Sequence, residues 1–374
     1  MFKTTLLLFS LSAFFLFSCG QNSSESNTKV ETVSLVVKDS IDISYLGKLM
    51  LQDVDTKNSR LLLYDQQQRL FLITNMKGDI LHQFGKQKDS KGGINYQYGP
   101  AKFFKEGQVQ IIGMQGFSWF DFNGELLDHK KFTNEEPPSF SARPMLAEEF
   151  ALIDGKYLGK AVRARGQYSI IDPEFYDEFQ LLAWFDTKEA TYKRVFGLEN
   201  ESLFKNGMAY DVTEMMPTHT YFDNKIFIAV GVDPHLNIYQ SQPPYSLLSR
   251  VPLQYSPFFQ SEGEEPAKAD PLAIKGPGAS GHTQNLKATS KYLIIGFVSG
   301  YNPDKETDGV RPKSSEHFYI MDHEGKMMTI LDNTFDINLR EFTTRNDEIW
   351  AVKKISQEVE EDFIRIYRMA IEKQ

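Results

Sequence analysis

The chain has 374 residues, 41% hydrophobic and 24% charged, with a formal net charge of −9. It is long enough to bury a sizeable core, and it carries no basic cluster of the kind that binds nucleic acid. Its one cysteine, Cys19, excludes disulfides, cysteine-ligated zinc, thiol catalysis in the body and cysteine-attached haem.

Residues 1–18 read as a signal peptide. Lys3 and the free amine give a positive start, and residues 6–17 form a mostly apolar run. That run is too short for a bilayer core of roughly 30 Å, which needs about 20 residues. It ends in Leu16-Phe17-Ser18-Cys19, which resembles the lipobox of bacterial lipoproteins: apolar at −3, small at −1, then the lipidated cysteine. Phe17 is bulkier than the usual residue at −2. The expected product is cut before Cys19, lipidated on that residue and held in the cell envelope, at the outer membrane. Residues 19–32 (CGQNSSESNTKVET) are polar and read as a flexible tether. Glu25 is the only acid soon after the cysteine, so the periplasmic and surface faces both stay open.

From residue 33 onward, short apolar or alternating runs are broken by Gly, Asn, Asp and Pro, the pattern of serial hairpins. Residues 60–85 give RLLLYD, RLFLITN, the turn MKGD and ILHQFG, an antiparallel meander. Related units follow at 108–132, 179–197, 225–253, 292–331 and 348–371, at a spacing suited to propeller blades. The last unit lacks its outer strand, while residues 33–43 (VSLVVKDSIDI) offer a strand with no unit of its own. Pairing the two would close the ring and leave no open edge. The expected fold is therefore all-β: a single propeller over 33–374, of six four-stranded blades, closed by the N-terminal strand.

The pattern D-x-x-x-R-L-x-L-x-x-x-x-x-G-x-I-L-x-x-F-G at 65–85, with Gly99-Pro100 before the next unit, resembles NHL-type and TolB-like six-bladed propellers. Combined with the lipobox, the chain is similar to the six-bladed propeller lipoproteins of Bacteroidota, many of unassigned function. The resemblance covers about residues 33–371 and implies the fold rather than an activity.

Motifs for catalysis are sparse. There is no G-x-S-x-G, H-E-x-x-H, C-x-x-C-H or Walker-type loop, and no cofactor is expected. Asp304, Glu306 and Asp308 alternate before Gly309 like half of an EF-hand loop, but position 12 would be Ser315 and Glu316 falls one residue late. They read as a solvated acidic loop and as weak calcium candidates. Ahead of the strong apolar run of successive units stand Lys102, Arg143, His219, His282 and Arg340, one per unit. If these runs are the innermost strands, the five residues form a cationic ring at the channel mouth. Such a ring suits a carboxylate, phosphate or acidic sugar; pairing with carboxylates of neighbouring blades is the plainer alternative. The aromatic run at 116–120 reads as core between blades. The Pro-rich acidic stretch at 255–275, with Phe258 and Phe259 at its base, reads as a surface loop able to meet a partner protein. Three functions stay open: an anchored module binding an anionic small molecule or envelope protein, a channel-mouth hydrolase or lyase on carbohydrate or lactone, and a structural subunit of an outer-membrane assembly.

Overall fold

Runs such as Leu61-Leu62-Leu63 have no polar face, so a strand built from them must be covered on both sides. A ring of sheets standing face to face does this. The computed structural model describes residues 33–85, 97, 99–113, 115–134, 149–160, 167–271, 278–307, 310–355 and 361–374. The signal peptide, Cys19 and the tether lie outside the described residues, as do Arg143 and Asp308.

The chain begins with strand β1 (Val33–Ile43). Blade 1 follows as β2 (Leu49–Asp55), β3 (Arg60–Asp65), β4 (Leu70–Asn75) and β5 (Ile80–Phe84). Blade 2 is β6 (Lys102–Phe103), β7 (Gln108–Gly113), β8 (Gly116–Asp121) and β9 (Leu126–Lys131). Blade 3 is β10 (Ala151–Ile153), β11 (Lys156–Lys160), then helix α1 (Pro173–Glu178), β12 (Gln180–Asp186) and β13 (Thr191–Gly197). Blade 4 is β14 (Pro217–Phe222), β15 (Lys225–Val230), β16 (His235–Gln240) and β17 (Leu247–Pro252). Blade 5 is β18 (Ser280–Ala288), β19 (Leu293–Gly300), β20 (Glu316–Met321) and β21 (Met327–Asp332). Blade 6 is β22 (Ile337–Arg345), β23 (Glu348–Lys353) and β24 (Ile364–Lys373), and β1 is its fourth strand.

The protein is thus a six-bladed β-propeller of four-stranded antiparallel sheets, closed as the sequence predicts. β1 pairs with β24 from Val33 opposite Lys373 to Ile43 opposite Ile364. Arg365 grips Asp42 through two 2.7 Å hydrogen bonds across that seam. Gly78, at φ +91° in the third hairpin turn of blade 1, lies against the backbone of Asp42; a Cβ there would meet its carbonyl oxygen. Blade 1 therefore leans directly on the closing strand.

Hydrophobic burial sits in the gaps between blades. Successive residues serve opposite gaps: Leu61 and Leu63 pack with Ile41, Ile43, Trp350 and Ile366 toward blade 6. Leu62 and Tyr64 pack with Val109, Ile111 and Phe120 toward blade 2. Phe117 and Trp119 of the aromatic run fill the gap from blade 2 to blade 3, so that run is core, as expected. The gap between blades 3 and 4 is enlarged by Phe175, Tyr176 and Phe179 around α1, with Phe204 and Tyr210. Each fully buried aliphatic or aromatic side chain contributes about 1.5–3 kcal/mol.

Within each blade the first strand lines the channel. Short hairpins join strands one to two and three to four at one end of the blades, the hairpin end. The connections from two to three and from blade to blade, including the long ones, lie at the other, the loop end.

Candidate functional site

The apolar runs that stand out in sequence are second strands. β7, β15, β19 and β23 carry them, while the channel-lining strands upstream are polar: PTHTYF in β14, SGHTQNLKA in β18 and INLREFTTR in β22. This corrects the placement of the predicted residues. Lys102, His219, His282 and Arg340 lie within the inner strands rather than ahead of them. The physical reason is that the inner strands face one another around the axis, where buried polar and charged side chains pair across the lumen.

They also occupy two places. Lys102 stands directly before the turn that leads into β7, close to the hairpin end, with its ammonium 3.9 Å from Asp53 of β2. Asp53 also accepts from Arg345 of β22 at 2.5 Å and from the Phe103 N–H at 3.0 Å. At the equivalent level of blade 5 the Lys287 ammonium, 1% exposed, donates to Glu149 at 2.7 Å. Lys102 and Lys287 both act on Glu149, so Arg345, Asp53, Lys102, Glu149 and Lys287 form an alternating series of charges drawn from five blades. Burial opposes ionisation of Glu149, but Lys287 and Lys102 overcome it and hold its pKa at about 2. Burial lowers the pKa of Lys102, with Asp53 and Glu149 opposing that shift. His219, buried in the same lumen, donates its Nε2–H to the Leu158 carbonyl at 3.2 Å. Burial brings its pKa to about 4, so it is neutral at pH 7. Beside Lys102, Gln110 accepts from the Tyr157 hydroxyl at 2.7 Å, and Gln52 accepts from Gln97 and the Ala101 N–H.

The second place joins His282 of β18 to Arg340 of β22. The His282 Nδ1–H donates to the Ser280 carbonyl at 3.1 Å. Its Nε2 accepts from Gln284 and, at 3.3 Å, from Arg340 Nη2. Arg340 Nε donates to the Gln284 side-chain oxygen. That tautomer is the neutral one, and burial together with Arg340 brings the His282 pKa to about 4. These groups line a cleft of about 380 Å³ between blades 5 and 6, together with Ser280, Asn338 and Glu316. Glu316 is matched by Lys354 at 2.6 Å and by Asn333. The cleft thus presents a guanidinium, an imidazole, an amide and hydroxyl groups, a set suited to a carboxylate or phosphate.

Of the acidic loop, Asp304 lies in a 3₁₀ turn with its N–H on the Asn302 side chain, and Glu306 accepts from the Tyr301 hydroxyl at 3.4 Å. Among the described residues no three His, Cys, Asp or Glu side chains are grouped to hold a metal ion. At the base of the 255–275 stretch, Tyr255 is core: its ring stacks on Phe297 at 3.7 Å and its hydroxyl meets Thr283. Phe258 packs beside it, and Phe259 is the exposed one. Asp53, Glu149, Lys287 and Arg345 went unread in sequence, because pairs 138 and 292 residues apart leave no local pattern.

No protein-family model matches the chain, and no curated protein matches it in sequence. Solved structures match it in shape. A member of the DUF4221 family from Bacteroides vulgatus aligns over 92% of this chain and 100% of its own, with a TM-score of 0.64 and 10% identity. A Bacteroides fragilis protein described as exported aligns over 93% and 98%, with a TM-score of 0.51 and 11% identity. The chain is similar to these proteins in the path of its backbone, and at such identities the likeness establishes the six-bladed propeller, the fold of Bacteroides proteins, and nothing finer.

Proposed function

We propose that this protein is a lipid-anchored envelope protein whose propeller binds an anionic small molecule, a carboxylate or acidic sugar, in the cleft between blades 5 and 6. One observation carries the binding half: Arg340, His282 and Gln284 meet there in a mutually hydrogen-bonded set at the wall of a cleft. In the channel the cations face Asp53 and Glu149. The anchoring half rests on Leu16-Phe17-Ser18-Cys19 behind an apolar run. Export is the description given to the Bacteroides fragilis protein of similar fold, in keeping with an envelope location.

The two halves are tested separately. Galacturonate, succinate and inorganic phosphate are titrated into the mature protein by calorimetry. Arg340→Gln should lower affinity for the best of them at least tenfold while leaving the melting temperature within a degree or two. Binding that survives in that variant rules out the cleft. Labelled palmitate should enter the protein in cells and be lost with Cys19→Ser; unlabelled wild type rules out the anchor.

A further inference from the structure

Five of the six blades share one irregularity in the outermost strand. Next to its hairpin turn the strand carries one extra residue that faces no partner. In blade 1, Ile80 opposes Thr74 and His82 opposes Ile73, leaving Leu81 over. Blade 2 leaves Leu127 over, blade 4 Leu248 and blade 5 Met328, each at the same step of the ladder. Blade 6 repeats it in β1, where Lys38 is the extra residue and is tied to Glu372. A bulge turns two neighbouring side chains away from the regular alternation.

In blades 1, 2 and 4 the pair at the bulge is aliphatic and exposed, Ile80-Leu81, Leu126-Leu127 and Leu247-Leu248, whereas Met327 and Met328 of blade 5 pack partly into the neighbouring gaps. Leu81 is 47% exposed, Leu127 50% and Leu248 53%. Rotation about the ring relates these positions, so they lie on one circle around the rim. An outermost strand in a soluble ring has no reason to place Leu there, since its solvent side is normally polar. A repeated exposed apolar rim marks a contact surface.

The path of the chain names the occupant. β1 occupies the same outermost position, and its bulge at Lys38 falls on the same circle. The chain therefore joins the propeller at Val33, four residues before Val37, beside the rim. The 14 residues from Cys19 to Thr32 span at most about 50 Å even if fully extended. A lipid on Cys19 would therefore draw on the propeller from the end of β1 that lies beside this rim.

We infer that the aliphatic bulge rim is a membrane-docking surface, which rests on the lipid interface and turns the His282–Arg340 cleft toward the aqueous side. The inference depends on the anchoring reading above. The neighbouring turns carry both signs, Lys77 with Asp79 and Glu324 with Lys326, so attachment is apolar rather than electrostatic. It should persist at about 1 M salt, where the screening length falls to ~3 Å.

The test uses full-length protein processed in cells and reconstituted in phosphatidylethanolamine–phosphatidylglycerol vesicles. Leu127→Cys and Leu248→Cys place labels on the rim; Leu46→Cys and Val310→Cys place them at exposed loop-end sites. An environment-sensitive dye should shift to the blue and be quenched by nitroxide lipids at 127 and 248, and at neither 46 nor 310. Mass spectrometry of the same preparation reports the lipid on Cys19. An unlipidated mature protein overturns the anchoring reading and the docking built on it. A lipidated protein whose rim and loop-end labels respond alike overturns the docking alone.

Discussion

The bond between Lys287 and Glu149 offers the sharpest check on the channel. It joins blade 5 to the segment entering blade 3, so it spans the lumen past blade 4 rather than linking neighbours. At 2.7 Å the attraction is about 6 kcal/mol for an effective dielectric of 20, much of it offset by desolvation. The Glu149 pKa, held near 2 against a usual 4.5, corresponds to about 3 kcal/mol at ~1.4 kcal/mol per unit. Lys102 and His219 share in that shift, but Lys287 is the largest attraction in it, and Lys287→Met should lower stability by about 3 kcal/mol at pH 7, the lower end of the cost of breaking a buried pair. For a domain of this size that is a fall of about 6 °C in melting temperature, at roughly 2 °C per kcal/mol. Glu149→Gln should cost about the same, and the double variant markedly less than the sum, because neither residue then strands a charge. The loss in Lys287→Met should also shrink toward pH 4, where Glu149 can take up a proton. Additive single effects, with coupling under about 0.5 kcal/mol, would refute the reasoning.

Acid should loosen the protein in two stages. His219 and His282 have pKa values near 4 in the fold against 6.5 when exposed, so the unfolded chain binds more protons between those limits. Stability should fall by up to about 3 kcal/mol for each histidine as pH drops from 6.5 to 4; melting curves across that range check it, and His219→Gln should flatten the slope. Below pH 4.5 the depressed pKa of Glu149 adds a further loss, continuing toward pH 2. At the closing seam, Ile43→Ala removes a fully buried side chain and should cost about 2–5 kcal/mol in denaturant titration. Asp42→Asn breaks a surface pair with Arg365 and should cost under about 1 kcal/mol. In blade 4, Asp233 is buried and accepts from Arg250, Ser202 and the Leu203 N–H. Asp233→Asn should cost about 3–5 kcal/mol by leaving Arg250 half-buried without its counter-charge; an unchanged melting temperature would show that Arg250 finds solvent instead.

The fold was legible because its main packing rule writes itself locally. A strand covered on both faces must be apolar at successive positions, and RLLLYD or KIFIAV in β3 and β15 can be little else. Turn residues add punctuation: Asp223-Asn224 and Asn346-Asp347 take positive φ between first and second strands, as tight hairpins require. Closure was legible too, since an orphan strand at one end matched a missing one at the other. The innermost strands were not. β6 has two residues and β10 three, and β18 and β22 mix polar with apolar residues because one edge meets the channel. The candidate cleft inherits that difficulty. His282 and Arg340 could be noticed as cations in sequence, but only the register of β18 against β22 makes them neighbours, with Gln284 between them.

Apolar gaps cannot count blades. Each gap is filled by similar Leu, Ile, Val and Phe side chains, and such packing tolerates a small change in the angle between neighbours. A ring of another size would bury nearly the same surface. Two features here tie the ring together. The seam between β1 and β24 fixes where the ring ends, through a ladder ten pairs long. The bond from Glu149 to Lys287 reaches across the lumen at 2.7 Å, so blades 3 and 5 must stand close enough for the Lys287 side chain to span them. Apolar residues in the channel could give comparable stability, yet they would close rings of several sizes equally well. The cross-channel charges therefore tie the non-adjacent blades 3 and 5 together at a modest net energetic return, whereas His282 and Arg340 meet because blades 5 and 6 are neighbours.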